Sequence, residues 1–305
     1  MKNIQIKKLS IGKLGVIDLN LPYLVIGKRK PRGLILGLQH GGETSSLEII
    51  SKFIENKVNG QAIIVPTVNP FGLLFGTRNE PLDGKDLNRN YPGKENGDLA
   101  QRICSKIFSL AKSCDFVIDL HSFSNRLTKI VCGFTEIGDG KIKEKILKMI
   151  KVINPDFIWK INLKDKNDRR FCGTLDEVII KSRIPAIFIE MPNLQFISEI
   201  QTKKVVEGLI NIFKKFNQKT QIKKDFSILS AQYIFADQSG LFIPKVFPKE
   251  EIKISATIGE VLVLPDFKKI KIKSLYSGVI ISILSKSFIR LGTKLASIGK
   301  MVGNI

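Results

Sequence analysis

The feature that most constrains the fold is an alternation. From the N-terminus to about Phe216, short β-branched apolar runs take turns with segments whose apolar residues recur at helical spacing. Such an alternation specifies an α/β fold, a mixed and mostly parallel central sheet flanked by helices. The runs Tyr23 to Ile26, Gly33 to Leu38, Ala62 to Val65, Phe116 to Leu120, Lys129 to Phe134 and Ala186 to Ile189 are predicted strands. The segments Ser45 to Glu55, Asp98 to Ser113, Lys141 to Ile153, Leu175 to Lys181 and Glu199 to Phe216 are predicted helices, with Asn96-Gly97-Asp98 and Ser198 as starts. One segment, Asn69 to Gly97, is rich in Gly, Asn, Asp and Pro and shows no period. A loop that long in a compact domain is usually functional or disordered.

Beyond Lys214-Lys215-Phe216-Asn217-Gln218-Lys219-Thr220 the texture changes to short β-branched runs punctuated by turns, among them Gly240 to Pro244, Gly259 to Pro265, Tyr276 to Ile283 and Leu291 to Ile298. This predicts a small C-terminal all-β domain. The boundary is expected near residue 223, which divides the chain into units 1–222 and 223–305.

Composition excludes several classes. No apolar run approaches the roughly eighteen residues a membrane span needs, and Met1 to Lys8 is followed by no apolar signal core, so a soluble, cytoplasmic protein is expected. Cys104, Cys114, Cys132 and Cys172 are scattered and form no C-x-x-C pair, which argues reduced thiols and no disulfide framework. The net charge of +21 is mostly lysine, spread from Lys7 to Lys300. Phosphate binding needs clustered charge, so the excess is read as a solvated surface and nucleic acid is not an expected partner.

The chemistry concentrates on two histidines, the only ones in the chain. His40 follows the run Gly33 to Gln39 and opens His40-Gly41-Gly42-Glu43; His121 closes Asp115 to His121. Side chains at the carboxyl ends of strands in an open α/β sheet converge on a crevice. His-x-x-Glu at a strand-to-helix turn can aim two ligands at one point, the paired glycines letting the backbone bend, and His121 supplies a third. A His2Glu set with an open position suits catalytic zinc, which lowers the pKa of a bound water from about 15.7 toward 7 and polarises a carbonyl. Taken singly, each member also has a structural reading: a strand-end histidine satisfied in the core, a chance H-x-x-E. The conjunction favours the metal.

Four ordered motifs carry a family resemblance: His40-Gly-Gly-Glu43, Asp86-Leu-Asn88-Arg89-Asn-Tyr-Pro92, Asp119-Leu-His121-Ser122 and Ile184-Pro-Ala-Ile-Phe-Ile-Glu190. Together they resemble the succinylglutamate desuccinylase/aspartoacylase branch of the zinc carboxypeptidase superfamily, over residues 30 to 200 by motif, and the β-rich tail is similar to that branch's C-terminal domain. The resemblance implies one zinc ion held by His40, Glu43 and His121, with Glu190 as general base. It implies Asn88 and Arg89 on a substrate carboxylate, Arg78 on the oxyanion, and Asp86 orienting the first zinc histidine. By itself Glu190 could equally cap the next helix or meet a lysine, and the Asn69–Gly97 loop could be a solvated turn.

The implied activity is zinc-dependent hydrolysis of the linear amide of an N-acyl amino acid or similar small acyl-amine, a carbon–nitrogen bond other than a peptide bond. A homo-oligomer is compatible with it, and a membrane partner is not expected. A peptide-cleaving relative would be expected to place a tyrosine shortly before the catalytic acid, and Asn162 to Ile189 holds none. That segment does hold Arg169 and Arg170, which could meet a second substrate carboxylate or simply be solvated. Two alternatives stay open: a metallocarboxypeptidase acting on peptides, and a non-catalytic basic binding protein.

Overall fold

The computed structural model describes residues 4–218 and 226–305. The boundary expected near residue 223 lies outside the described residues. The chain opens with an antiparallel hairpin of β1 (Ile4–Leu14) and β2 (Ile17–Ile26). There follow β3 (Arg32–Leu36), α1 (Ser45–Ile54), β4 (Gln61–Val65), α2 (Pro70–Phe75) and α3 (Leu99–Lys112). Next come β5 (Phe116–Phe123), β6 (Arg126–Thr128), β7 (Val131–Thr135), α4 (Gly140–Ile153), β8 (Phe157–Ile161), α5 (Leu175–Lys181), β9 (Ala186–Pro192) and α6 (Glu199–Lys215).

The heart of the sheet is the parallel run β4-β3-β5-β9, beyond which β7 pairs with β9 antiparallel and β8 with β7 in parallel. Its strands read as unbroken apolar runs because helices cover them: α6 packs on both α1 and α4, and α3 on α5. Leu34, Ile35, Leu36, Phe116, Ile118, Ile187 and Ile189 are each 0% exposed. Phe116 meets Phe213 of the last helix and Phe216 just beyond it at ring-centroid distances of 5.0 and 4.7 Å. Gly33 has no room for a side chain, since a Cβ there would sit 2.3 Å from the Phe116 ring.

Every predicted strand and helix up to Phe216 is present. Four strands and helices escaped the pattern, one of them β6, which is only three residues long. β1 alternates, but its lysines and largely exposed residues mask the period. β8 is five residues long. α2 lies inside the aperiodic segment, a single short helix capped by the Asn69 side chain, which accepts from Gly72 N at 2.8 Å, and stopped by Gly76 at φ 64°.

The tail is β-structured throughout: β10 (Ser227–Phe235), β11 (Gly240–Pro244), β12 (Glu251–Ile252), β13 (Thr257–Val263), β14 (Lys268–Lys273), β15 (Gly278–Leu284), β16 (Ser287–Ile289) and β17 (Lys294–Asn304). Its strands divide between two sheets. β14-β13-β11-β16 form one of four strands, whereas β10, β17, β15 and β12 extend the central sheet, which thereby reaches thirteen strands. The joint is parallel pairing of Ile228 with Ile158 and Leu229 with Trp159. β8 would otherwise present an unpaired backbone edge, and β10 covers it. β6 reaches across to pair with β15, so the tail is tied to the α/β layer on two sides.

A charge clamp locks this joint. Asp156, in the turn before β8, accepts from Lys249 Nζ at 2.6 Å, from Lys204 Nζ at 3.4 Å and from Ile130 N at 3.1 Å. Burial raises its pKa, but the two ammonium groups and the backbone donor outweigh this and hold it below the usual carboxylate range. A carboxyl depressed by folding stabilises the fold above its unfolded pKa and loses that contribution as pH falls through its folded value. Asp156→Asn is therefore expected to cost about 1–3 kcal/mol at neutral pH. The gap to the parent should close as denaturation curves are repeated at pH values falling through the carboxylate range.

Candidate active site

Three strand ends build the site. β5 and β9 lie in register with His121 opposite Glu190, so two chemistry-bearing side chains are neighbours on adjacent parallel strands. The chain leaving β3 turns at Leu38, whose φ of 50° is left-handed, and delivers His40 beside them. Glu43 N then donates to His40 O at 3.1 Å, a tight turn that brings the acid back beneath the histidine before α1 begins.

The glycines in that turn act differently from the expected hinge. Neither Gly41 nor Gly42 has left-handed φ. Gly41 is needed for close approach: a Cβ there would lie 1.8 Å from the backbone oxygen of Gly72 in α2. Around Gly42 there is open space. The short helix in the loop is thus seated against the turn that holds the first histidine.

His40, Glu43 and His121 are 3%, 6% and 3% exposed. One donor atom from each falls within 4.8 Å of the others. Glu43 lies between the rings, Oε1 at 2.7 Å from His40 Nδ1 and Oε2 at 2.8 Å from His121 Nδ1. Each ring's far nitrogen faces a carboxylate: His40 Nε2 lies 3.0 Å from Asp86 Oδ1, and His121 Nε2 lies 2.7 Å from Asp119 Oδ2. Burial alone would favour neutral rings, yet Glu43 with Asp86 raises the pKa of His40, and Asp119 with Glu43 raises that of His121. Burial likewise opposes charge on Glu43, but the two imidazoles prevail and hold its carboxyl well below the carboxylate range.

This donor set fits a divalent cation. Two imidazole nitrogens and a carboxylate on one buried point are ligands for a borderline metal such as zinc. A carboxylate behind each ring fixes its orientation and makes it a better ligand. Among the described residues this is the only group of three or more His, Cys, Asp or Glu residues so disposed.

Glu190 is the third strand-end group. Its Oε2 is buried with no hydrogen-bond partner, and burial pushes its pKa up against the opposing effect of His121. The loop supplies the rest. Asp86 caps a short 3-10 turn, Leu87–Arg89, by accepting from Asn88 N at 2.9 Å. Arg78 donates to Asp86 Oδ2 through Nε at 3.1 Å and Nη2 at 3.0 Å, with Nη1 3.7 Å from Glu43 Oε1. Asn88 Oδ1 accepts from Leu175 N at 3.0 Å, which pins the loop to α5. The Arg89 guanidinium lies 5.2 Å from the Phe171 ring.

His40, Glu43, Arg78, Asn88, Arg89, His121 and Glu190 all line one cleft of about 390 Å³, and Asp86 stands behind His40. Arg170 lines it as well; Arg169 does not. Several contributors were given no role by the sequence reading. Asp119 sits two residues before His121, hence on the same face of its strand, and that spacing could have revealed it. Gln39 joins it, donating to Asp119 Oδ2 while accepting from Tyr91 O–H at 2.8 Å. Arg126, Trp159 and Lys294 come from β6, β8 and β17, and only the folded sheet brings them here.

Residues 29–214 match the family model for the succinylglutamate desuccinylase/aspartoacylase catalytic domain, and the chain belongs to that family. It is 33% identical over 125 residues to the N-alpha-acetyl-L-2,4-diaminobutyric acid deacetylase of Halomonas elongata, an alignment spanning 39% of this chain and 36% of that relative. An aspartoacylase family protein from Mesorhizobium loti has the same fold, with a TM-score of 0.82 at 22% identity over 99% of this chain and 96% of the other. The product-bound ectoine utilization protein EutE of Ruegeria pomeroyi gives 0.84 at 18% identity, over 98% and 96%. A metallo-carboxypeptidase from Burkholderia cenocepacia gives 0.56 at 14% identity over 71% of this chain and 65% of its own, so the wider fold is shared.

The unequal glycines generate a test of the site's construction. Gly41→Ala is expected to lower unfolding free energy by roughly 1–3 kcal/mol through overpacking against α2. Gly42→Ala should stay within about 0.5 kcal/mol of the parent in the same denaturant titration.

Proposed function

We propose that the chain is a zinc-dependent deacylase that hydrolyses the amide bond of an N-acyl amino acid or similar small acyl-amine, with His40, Glu43 and His121 holding the metal. The observation that carries this reading is Glu190, a half-buried residue whose Oε2 is buried and unpartnered, held in strand register beside His121. A zinc ion in the His2Glu set would acidify a water and polarise the scissile carbonyl. Glu190, its proton affinity raised by burial, takes a proton from the attacking water and passes it to the leaving nitrogen. Arg78, held by Asp86 at the edge of the cluster, offers its guanidinium to the developing oxyanion. Arg89 binds the substrate carboxylate with its planar fork, and Asn88, locked to α5, fixes the height of that fork in the cleft.

Family membership supports the deacylase chemistry, as does the curated relative named for removing an acetyl group from a diamino acid. A cleft of about 390 Å³ suits a small amide, and the tail strand β17 forms part of its wall. No tyrosine lies between Asn162 and Ile189, where a peptidase relative would be expected to carry one.

Four experiments test the reading. Chelator-stripped protein should lose turnover of N-acyl amino acids and regain it with zinc; unchanged turnover after verified metal removal would defeat the assignment. Glu190→Gln should keep near-stoichiometric zinc while kcat drops by roughly a hundredfold or more. His40→Ala should lose both metal and activity. If C-terminally varied peptides were cleaved faster than acyl-amino acids, the peptidase alternative would replace this one.

A further inference from the structure

The acids behind the two imidazoles are held in different ways. Behind His40, half-buried Asp86 accepts from the Arg78 guanidinium at 3.0 and 3.1 Å and from Asn88 N at 2.9 Å, so its charge is met by a cation. Behind His121, Asp119 is 3% exposed. Among the described residues its hydrogen bonds come from His121 Nε2 at 2.7 Å and from Gln39 Nε2, both at Oδ2, while Oδ1 is buried with no partner. Besides the imidazole, a neutral amide is the one hydrogen-bond donor that holds this buried carboxylate.

Gln39 is fully buried and is fixed by both ends of the substrate loop. Its backbone oxygen accepts from Asn69 Nδ2 at 3.4 Å, and its Oε1 accepts from the Tyr91 hydroxyl at 2.8 Å. Asn69 opens the aperiodic segment and caps α2; Tyr91 lies at its far end, where its N–H donates to Gly173 O at 3.1 Å. The Gln39 amide has one workable orientation, because turned over it would aim its oxygen at the Asp119 carboxylate. Tyr91 must therefore donate, and burial pushes its hydroxyl pKa up, which keeps that proton in place. His121 Nδ1 faces Glu43 and the cation position, so Nε2 carries the proton that Asp119 accepts. The donors form a directed chain, Tyr91 to Gln39 and Gln39 to Asp119, in which each bond polarises the next. An amide orients Asp119 without neutralising it. The carboxylate keeps its negative charge to act on His121, which makes that ring a better ligand.

We infer that Gln39 and Tyr91 are positioning residues for the metal centre, which act through Asp119 to hold His121 in its ligating orientation and tie its strength as a ligand to the seating of the substrate loop. This rests on the deacylase reading, in which His121 binds zinc. The loop that carries Arg78, Asn88 and Arg89 is then linked to both metal histidines, to His40 through Asp86 and to His121 through Tyr91 and Gln39. A role confined to packing two buried polar groups would change folding stability and leave metal affinity alone.

Zinc affinity, read by competition with a chromophoric chelator, tests this on the full chain. Gln39→Met should raise the zinc dissociation constant roughly tenfold or more, and Tyr91→Phe by about three- to tenfold. In the zinc-loaded variants kcat for an N-acyl amino acid should fall while KM stays near that of the parent. The double variant should bind zinc no more weakly than Gln39→Met, since the chain is already cut. It should also unfold later than Gln39→Met, because the second change removes a stranded tyrosine hydroxyl. Zinc affinity that recovered in step with that stability, or that stayed within about twofold of the parent in both single variants, would overturn the inference. The chain has only two histidines, so isotope-labelled histidine spectra of the metal-free protein resolve each ring. The His121 Nε2–H signal should move or broaden in Gln39→Met while the His40 signal holds. An unchanged His121 signal would overturn the inference even in a parent that hydrolyses acyl-amino acids. A parent that bound no zinc, with the His121 signal still responding to Gln39→Met, would sink the metal reading and leave the hydrogen-bond chain standing.

Discussion

The contact on which the rest of the structure turns is the Glu43 carboxylate lying between two imidazoles. It joins the turn after β3 to the end of β5, and each imidazole then reaches back to an acid, His40 to Asp86 in the loop and His121 to Asp119 in its own strand. Three carboxylates thus surround two rings in a region almost closed to water. Charge buried at this density is tolerable only when every group has a partner within hydrogen-bond reach. The long aperiodic loop is ordered by the same requirement: Asp86 must stand behind His40, and Arg78 must answer Asp86.

Glu190 and Lys294 are exceptions to that matching, and both face the same cleft. One is a carboxylate with an unpartnered oxygen, the other an ammonium without an ion-pair partner among the described residues. Burial moves their proton affinities in opposite directions, up for the acid and down for the base. In a fold that otherwise pairs its buried charge so closely, groups left unmatched around a cleft are where a ligand supplies what the protein does not.

The continuity of the sheet explains how such a cleft is assembled from distant parts of the chain. β8 offers an edge, β10 takes it, and β17 follows alongside β10, which carries Lys294 to the cleft that His121 and Glu190 face. Arg126 on β6, bonded to the backbone of β17, sets the position of that strand from the other side. The tail is accordingly a wall of the site as well as a cover for an edge.

How much of this could be read from the residues alone follows from which interactions are local. Apolar periodicity and capping signals depend on neighbours a few places apart, so the strands β3, β5 and β9, the long helices and the strand-end positions of His40, His121 and Glu190 are legible in the sequence alone. The gathering of His40, Glu43 and His121, with Asp86 behind His40, is legible because motif order preserves a chemical need. What tertiary structure alone decided was long-range: the seating of Gly41 on α2, the sharing of the tail's strands between two sheets, and the arrival of Arg126, Trp159 and Lys294 at the cleft. Backbone edges and cleft walls are closed by whichever strand arrives there, and a lysine beginning one more β-branched run in the tail carries no mark of its destination. Its meaning comes from the groups it is placed beside, and those lie on distant parts of the chain.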